Sequence, residues 1–341
     1  MITRRSSLAV RMLALCGLAL PAMACSAGES AAPATPTPVT LPGPVVDVRW
    51  LKANAQQVTV LDVRDDPATW TAGPQFDKDA KTGAQTLSVV GGHIENALLV
   101  EFDKIRVDRE VEGKKISKLL PDAAYVQALM RSVGLNKGQT IVITSPGEAA
   151  FEIEEAARLY WTLKAYGAES VALLDGGNAA WLQAGLPVTT TAFKPGAGNW
   201  EAGELRKDLL AEIAEVEQAV KDGVQMVDAR PLPQYLGLSY KKPSVAAGGH
   251  IQGARNLPTD VRFRSQGLAQ IFLTPEEYRG VFQAQGIDVA APSVTYCNTG
   301  HMAAGSWFIQ SELLGNAEVR LYDGSMHEWT TLGRPVVGIG G

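Results

Sequence analysis

The chain has 341 residues, of which 46% are hydrophobic and 20% are charged, and its formal net charge is -5. This length and composition are typical of a globular protein with two domains, each with its own hydrophobic core. The acidic balance, together with the lack of a basic stripe in the sequence, excludes nucleic acid as an expected partner.

Residues 1–24 are predicted to be an export signal, because Arg4, Arg5 and Arg11 precede an apolar run that ends in small residues. The run is shorter than the roughly 20 residues that a spanning helix needs. Cleavage after this segment would leave Cys25 as the first residue of the mature chain, as in bacterial lipoproteins. We therefore expect an exported, periplasmic protein whose contact with the membrane is a lipid on Cys25. A plain secretory cleavage at the same bond stays open, as does the choice between general and twin-arginine export.

The segment 25–44 is rich in Pro, Ala, Ser and Thr, a composition that predicts an extended tether. The three cysteines of the chain then have different expected fates. Cys16 lies in the signal, Cys25 is the candidate for lipidation, and Cys297 is the one thiol expected to remain free. We therefore expect no disulfide within the mature chain.

Beyond the tether the chain repeats itself with a period of about 150 residues. An Asp-x-Arg motif occurs at 62–64 and 228–230, a Gly-Gly-His-Ile motif at 91–94 and 248–251, and an Asp-Gly pair before Trp at 175–181 and 323–329. The motifs come in the same order in both copies, which indicates two similar domains. We place these domains at 45–193 and 205–341, with a linker at 194–204 that contains Pro and Gly.

In each half, short β-branched runs alternate with helix-like stretches. This pattern predicts an α/β fold in which each domain is a doubly wound, mainly parallel sheet with helices on both faces. For the second half we predict strands at 224–227, 293–296 and 319–322, and helices at 275–285, 303–314 and 326–332. Thr274 followed by Pro275 is typical of a helix start.

Cys297 ends a predicted strand and precedes a predicted helix, at the edge of the sheet where open α/β folds bind their ligands. Backbone N–H groups that converge in such a turn stabilise a thiolate and any anion beside it. We therefore predict Cys297 as the catalytic nucleophile. The predicted substrate-binding residues are those of the following loop, namely Asn298, Thr299, Gly300, His301 and Met302.

The first half lacks this nucleophile, since alignment of the two copies places Ser145 opposite Cys297. Pro146 removes one N–H group from the loop, and several glutamates follow that would repel an anionic substrate. We predict that the first half is non-catalytic.

The paired motifs and the single cysteine loop resemble the tandem-domain rhodanese family of sulfurtransferases, from about Val45 to the C-terminus. The resemblance implies an enzyme that takes sulfane sulfur from thiosulfate or 3-mercaptopyruvate as a persulfide on Cys297. The persulfide would then pass to a thiol or cyanide acceptor in a second step of covalent catalysis. The expected partners are thus a small anionic sulfur donor and its acceptor, with no cofactor. No metal is expected either, since the four histidines lack ligand spacing.

The chain departs from this family in its cations. The loop after Cys297 contains no Arg or Lys, and Gln234 stands where an anion-binding Arg is usual. We keep Arg230 as a predicted substrate-binding residue, and the candidates to replace the missing cations are Lys241, Lys242, Arg262 and Arg264. The missing cations also favour an alternative function, that of a cell-envelope persulfide carrier or binding protein with little turnover on small donors.

Several paired residues are expected to be structural because both halves contain them. We predict turn-holding histidines at His93 and His250, internal ion pairs at Asp62–Arg64 and Asp228–Arg230, and core anchors at Trp181 and Trp329. His327 has no counterpart in the first half, where Ala179 takes its place. It could line the pocket or lie on a helix surface, and we favour the surface.

Overall fold

The computed structural model describes residues 39–339, which belong to one compact unit. The predicted export signal, Cys25 and most of the predicted tether lie outside the described residues. Within 39–339, every helix is too short or too polar to cross a lipid bilayer.

The first half is built around a five-stranded parallel sheet with the strand order β1-β9-β8-β2-β5. Its strands are β1 (Val45–Val46), β2 (Thr59–Arg64), β3 (Gln75–Lys78), β4 (Gln85–Val89), β5 (Leu98–Glu101), β6 (Val107–Val111), β7 (Lys114–Leu119), β8 (Ile141–Thr144) and β9 (Val171–Leu174). Its helices are α1 (Val48–Asn54), α2 (Ala123–Ser132), α3 (Ala150–Ala165) and α4 (Gly177–Gln183). Strands β3–β4 and β6–β7 form two separate antiparallel hairpins.

The second half repeats this arrangement in a parallel sheet of order β10-β16-β15-β11-β12. Its strands are β10 (Leu210–Ala211), β11 (Gln225–Asp228), β12 (Arg255–Asn256), β13 (Phe263–Gln266), β14 (Ala269–Phe272), β15 (Ser293–Tyr296) and β16 (Val319–Tyr322). Its helices are α5 (Ile213–Lys221), α6 (Leu232–Tyr235), α7 (Pro275–Ala284), α8 (His301–Phe308) and α9 (Ser325–Thr331). The predicted α/β fold with two similar parallel sheets is confirmed, whereas the exact domain boundaries remain predictions.

The elements predicted for the second half are present with small shifts. Strands β15 and β16 have the predicted bounds, and β11 begins one residue later than predicted. Helix α7 begins after Thr274, whose side chain accepts the N–H of Glu277 in a capping box. Helix α8 begins two residues before the predicted start, because the turn after Cys297 ends at Gly300, which has a φ of +73°. A π-helix over Ile309–Leu313 continues α8.

The two halves pack against each other through α3 and α8, the helices that follow the two equivalent loops. Tyr160 of α3 meets Phe308 of α8 edge to face, with ring centroids 4.9 Å apart. Gly305 allows the helices to approach closely, since a Cβ atom there would lie 2.8 Å from Cγ of Glu154. The core of the first half is therefore continuous with the region behind the cysteine loop.

Each half also sends a hairpin across to the other half. At the end of β7, the N–H of Leu120 donates to the carboxylate of Asp323 at 2.5 Å. At the end of β14, the N–H of Phe272 donates to the carboxylate of Asp175 at 2.9 Å. Because both acceptors belong to the Asp-Gly turns, the two halves cover each other in an approximately two-fold manner.

The paired histidines and tryptophans occupy equivalent structural positions, as predicted. His93 and His250 place Nδ1 3.0 and 2.8 Å from a backbone carbonyl and stack on an aromatic ring. Trp181 and Trp329 are buried, and each donates its indole N–H to the carbonyl of a proline, at 2.9 and 2.8 Å.

The predicted ion pairs are also confirmed. Arg64 pairs with Asp62 at 2.8 Å and Arg230 pairs with Asp228 at 2.5 Å, and all four side chains are fully buried. Each arginine also donates to the carbonyl of the glycine before the paired histidine, at 2.6 and 2.7 Å. These contacts hold the carboxyl ends of β2 and β11. Each of these strands lies beside the strand that leads into one of the two equivalent loops, β8 or β15.

Candidate active site

Cys297 follows β15 directly and is a free cysteine with 1% of its surface exposed. We refer to residues 297–302 as the cysteine loop. The N–H of Cys297 donates to Oγ of Ser325 at 3.0 Å, and its carbonyl accepts the N–H of Met326 at 3.0 Å. The strand end therefore holds the cysteine against the start of α9, at the sheet edge predicted from the sequence.

Ser325 is a site residue that was not predicted from the sequence. Its buried hydroxyl accepts N–H groups from Cys297 at 3.0 Å and Gly300 at 3.1 Å, and donates to the carbonyl of Tyr322 at 2.8 Å. Its φ of +52° lies in the left-handed region, which a non-glycine residue occupies at a cost. The equivalent residue of the first half is Gly177, at φ +58°. The change from Asp-Gly-Gly to Asp-Gly-Ser between the copies was the available sequence signal.

The cysteine loop retains N–H groups that can bind an anion. Ser325 accepts those of Cys297 and Gly300, but within residues 39–339 nothing accepts a hydrogen bond from the N–H of Asn298 or Thr299. Backbone N–H groups at such a turn bind anions without any metal. The loop can therefore stabilise negative charge on sulfur at Cys297.

Two buried arginines hold the loop by its carbonyl groups. Arg158 of α3 donates to the carbonyl of Gly300 at 3.1 Å and pairs with Asp323 at 2.5 Å. Arg262 donates to the carbonyl of Met302 at 2.7 Å and is fully buried. Both guanidinium groups are ion-paired, since Arg262 also pairs with the buried carboxylate of Glu154 at 2.7 Å, so they bring hydrogen-bond donors rather than unpaired charge to the loop. Arg262 was one of the predicted replacements, whereas Arg158 was missed because it comes from the other half.

Arg230 lies near the cysteine as well as in its ion pair with Asp228. Burial lowers its pKa, but Asp228 outweighs burial, and with Tyr296 and Cys297 it raises the pKa of Arg230 overall. Its Nη1 is buried and has no hydrogen-bond partner in the described part of the chain. One donor of Arg230 is thus available to an anion near Cys297, although the rest of its guanidinium is structural.

Gln234 contacts the loop directly, at the place where the resemblance led us to expect an arginine. Its Oε1 accepts a hydrogen bond from Nδ2 of Asn298 at 2.8 Å. The pair is neutral, so it positions the loop without adding charge. Oδ1 of Asn298 is buried and lacks a partner among residues 39–339.

His301 is neutral in this environment. Its Nε2 lies 2.9 Å from the carbonyl of Phe151, which can only accept, and its ring contacts that of Phe102 at 4.6 Å. Burial and then the positive charge of Arg106 lower the pKa of His301 to about 3. A positive charge on His301 at acidic pH is therefore disfavoured, and the neutral ring donates a hydrogen bond to the first half.

The expectation that His327 lies on a helix surface is wrong. Its Nε2 accepts the N–H of Ser117 at 3.0 Å, its Nδ1 donates to the carbonyl of Ser244, and its backbone N–H donates to the carbonyl of Asn298 at 2.9 Å. The β6–β7 hairpin of the first half covers α9, which the sequence of the second half alone does not show. Burial lowers the pKa of His327, which keeps the ring neutral.

The other candidate cations have different surroundings. Arg264 pairs with Glu277 at 2.6 Å on the surface, and Lys242 lies over the ring of Tyr240 at 4.9 Å. Lys241 is exposed and contributes to the lowered pKa of His301. Of these three, Lys241 is the one whose charge acts on His301 of the cysteine loop.

The equivalent loop of the first half is filled by its own side chain. Glu152 accepts the N–H groups of Glu148 at 2.8 Å and Ala149 at 3.1 Å, so its carboxylate occupies the donors that an anion would need. The carbonyl of Ser145 accepts an N–H from α4 at 2.8 Å, as the carbonyl of Cys297 does from α9. This equivalence supports the alignment of Ser145 with Cys297.

No metal centre is visible in the described part of the chain, where no group of three or more His, Cys, Asp or Glu side chains is arranged to hold an ion. The chemistry available at the site is that of a buried thiol, converging N–H groups and nearby guanidinium groups.

Known proteins resemble this chain over most of its length. A Haloferax volcanii protein assigned as a thiosulfate sulfurtransferase is 32% identical, over 86% of this chain and 95% of its own. Human 3-mercaptopyruvate sulfurtransferase is 27% identical, over 79% and 85%, and a sulfur carrier protein of Thermus thermophilus is 28% identical, over 71% and 83%.

The fold and the family model agree with these relatives. The crystal structure of a 3-mercaptopyruvate sulfotransferase from Escherichia coli matches with a TM-score of 0.65 and 21% identity, over 83% of this chain and 98% of that one. The model of the rhodanese-like domain matches twice, at residues 47–184 and 212–332. Two sheets of equal strand order, two equivalent loops and two family matches show that the chain belongs to the rhodanese-like family of sulfurtransferases, with two copies of the domain.

Proposed function

We propose that the protein transfers sulfane sulfur from thiosulfate or 3-mercaptopyruvate to a thiol or cyanide through a persulfide on Cys297. The observation that carries this proposal is the position of Cys297 in a loop whose N–H groups at Asn298 and Thr299 have no acceptor among residues 39–339. Arg158 and Arg262, each in an ion pair, hold the same loop by its carbonyl groups. Such a site stabilises anionic sulfur before and after transfer.

In the first step, the Cys297 thiolate attacks the outer sulfur of thiosulfate. The new S–S bond forms as the old one breaks, and sulfite leaves with the bonding electron pair. With 3-mercaptopyruvate the C–S bond breaks instead, and the enolate that leaves takes up a proton to become pyruvate. In the second step, cyanide or a thiolate attacks the outer sulfur of the persulfide and restores the Cys297 thiolate.

The test is incubation of the purified protein with each donor, followed by intact-mass measurement and assay of released sulfite or pyruvate. We expect a one-sulfur adduct that disappears when cyanide is added, with thiocyanate as product. Cys297→Ser should abolish the adduct. An adduct that persists in this variant, or no adduct in the wild type with either donor, would refute the proposal.

A persulfide carrier is the second candidate, and the absence of Arg and Lys from the cysteine loop favours it. The two candidates share the first step and differ in the second. A one-sulfur adduct that forms stoichiometrically, but is not turned over by cyanide or small thiols, would identify the carrier.

We also propose that the protein is exported and lipid-anchored, which rests on residues 1–24 and Cys25. Expression of the full chain in a bacterial host, with fractionation and mass analysis of the mature N-terminus, tests both parts. A Cys25→Ser variant should leave the membrane fraction, and an unmodified Cys25 in the wild type would refute the anchor.

A further inference from the structure

Three cations surround the cysteine loop without belonging to it. Arg106 and Lys118 come from the first half, and Lys241 follows α6 in the second. The guanidinium of Arg106 lies 3.8 Å from the ring centroid of Phe102, and that ring contacts His301 at 4.6 Å. The ring of Phe102 therefore lies between Arg106 and His301, the first residue of α8.

The two lysines lie on either side of His327. Nε2 of His327 accepts the N–H of Ser117, the residue before Lys118, at 3.0 Å. Its Nδ1 donates to the carbonyl of Ser244, three residues after Lys241. The backbone N–H of His327 donates to the carbonyl of Asn298 at 2.9 Å, so the two chain segments that carry the lysines are held near the cysteine loop.

The backbone at Lys118 is unusual, with φ at +68° in the left-handed region. A non-glycine residue pays roughly 1–2 kcal/mol there, and such outliers concentrate at functional sites. Within the same hairpin, Lys115 pairs with Asp108 at 2.8 Å. The side chain of Lys118 is thus placed by a strained backbone between two anchored neighbours, Ser117 and Leu120.

The β13–β14 hairpin of the second half provides a comparison for the position of Lys118. Gln270 is the counterpart of Lys118, because each lies two residues before the residue that binds the Asp-Gly turn of the other half. The N–H of Gln270 donates to the carbonyl of Gly147 at 2.9 Å, and its Nε2 reaches the carbonyl of Glu148, so this hairpin closes over the inactive loop. Within residues 39–339, Lys118 makes no equivalent bond to the cysteine loop.

The positive charge of this group exceeds the negative charge near it, although Asp65 and Asp103 lie close enough to Arg106 and Lys118 to act on both. In the described part of the chain, neither Lys118 nor Lys241 forms an ion pair, and Nε of Arg106 is buried without a partner. Arg106 does pair with Asp103 at 2.7 Å, but that carboxylate is exposed. The nearby carboxyl of Glu155 has its pKa raised to about 9 by burial, so it is neutral at pH 7 and does not cancel the cations.

We propose that Arg106, Lys118 and Lys241 form a subsite that binds the anionic group of the sulfur donor. That group is the sulfonate of thiosulfate or the carboxylate of 3-mercaptopyruvate, and the subsite replaces the arginine that is absent at Gln234. This inference rests on the proposed sulfurtransferase function. It gives the non-catalytic half a direct role in donor binding.

The test compares steady-state kinetics of the wild type with Lys118→Gln and Lys241→Gln, using each donor with cyanide as acceptor. A lost charge-assisted contact should raise KM for the donor about tenfold in each variant while kcat changes little. Lys118→Arg should restore much of the affinity. The matched control is Lys114→Gln, an exposed position of the same hairpin, which should leave KM unchanged.

Ionic strength gives a second readout that a purely structural role would not move. KM of the wild type should rise with salt, and this dependence should weaken in the Lys118→Gln/Lys241→Gln double variant. An effect confined to 3-mercaptopyruvate would assign the subsite to its carboxylate, and one confined to thiosulfate would assign it to the sulfonate.

The outcomes separate this inference from the function on which it rests. If the wild type gains no sulfur on Cys297 from either donor, the proposed function fails. If the wild type gains sulfur but both lysine variants keep KM within about twofold of Lys114→Gln for both donors, the subsite is refuted and the function stands.

Discussion

Replacing Ser325 with alanine tests how the cysteine loop is held. The buried hydroxyl accepts the N–H of Cys297 at 3.0 Å and that of Gly300 at 3.1 Å. Alanine leaves both donors without this acceptor, and an unsatisfied buried group costs about 1–3 kcal/mol. Allowing for partial relaxation of the loop, we expect the free energy of unfolding to fall by about 2–4 kcal/mol.

A glycine at the same position separates the hydrogen bonds from the backbone strain. Ser325 has a φ of +52°, and Gly177 has +58° at the equivalent position of the first half. Glycine adopts this conformation without the penalty of about 1 kcal/mol that a side chain brings. Ser325→Gly should therefore be about 1 kcal/mol more stable than Ser325→Ala, although both lack the hydroxyl.

Two assays are needed, because the hydroxyl affects both stability and the geometry of the thiol. Urea unfolding gives the free energy, and intact mass after brief exposure to thiosulfate gives the rate at which Cys297 gains sulfur. Slower loading is expected in both variants. If the free energy of unfolding of Ser325→Ala lies within about 0.5 kcal/mol of the wild-type value, and Cys297 gains sulfur at the same rate, then Ser325 does not hold the loop.

Three further predictions concern pH and the inactive loop. Burial raises the pKa of Glu154 from 4.5 to about 7 against the opposing charge of Arg262. The native state thus binds a proton that the unfolded chain has released, and this contribution to stability is lost as pH rises from 4.5 to about 7. Over this pH range the free energy of unfolding, measured with urea, should fall by about 3 kcal/mol less in Glu154→Gln than in the wild type. The same pH dependence in both proteins would contradict the raised pKa of Glu154. His301→Gln should leave the pH profile of Cys297 alkylation unchanged between about pH 5 and 8, because His301 is already neutral there, and a lost inflection would show that it titrates. Ser145→Cys in a Cys297→Ser background should gain no sulfur from thiosulfate, since Glu152 occupies the N–H groups of that loop, and a one-sulfur adduct would refute this reason for its inactivity.

Features that depend on nearby residues could be predicted from the sequence. The strands β15 and β16 and the capped start of α7 follow from short-range patterns of apolar, β-branched and capping residues. The repeat added information that one copy could not provide. A residue that occurs both in the copy with Cys297 and in the copy with Ser145 serves the fold rather than the chemistry. This comparison separated His93 and His250 from the candidate chemistry.

Features that depend on contacts between the halves could not be predicted. Arg158 lies 142 positions from Gly300 in the chain, and Ser117 lies 210 positions from His327, yet both pairs are hydrogen bonded. No local period or spacing encodes such contacts. His327 was misplaced for this reason, because a helix face that looks free within its own half is covered by a hairpin of the other.

The two copies differ in the side chains that each contributes to its own loop and to the loop of the other half. Helix α3 places Glu152 in its own loop, which fills the N–H groups there, and sends Arg158 across to the cysteine loop. Gln310, in the π-helix that continues α8, instead bonds to Ser306 and Ser293 within its own half. The first half thus contributes Arg158 to the cysteine loop, and the second half contributes Arg262 to the buried carboxylate of Glu154 in α3, at 2.7 Å. A buried arginine that pairs with Asp323 and holds the Gly300 carbonyl ties the geometry of the cysteine loop to the packing of α3 against α8. The first half lacks the nucleophile and still takes part in the site, because α3 supplies Arg158 and the β6–β7 hairpin covers α9.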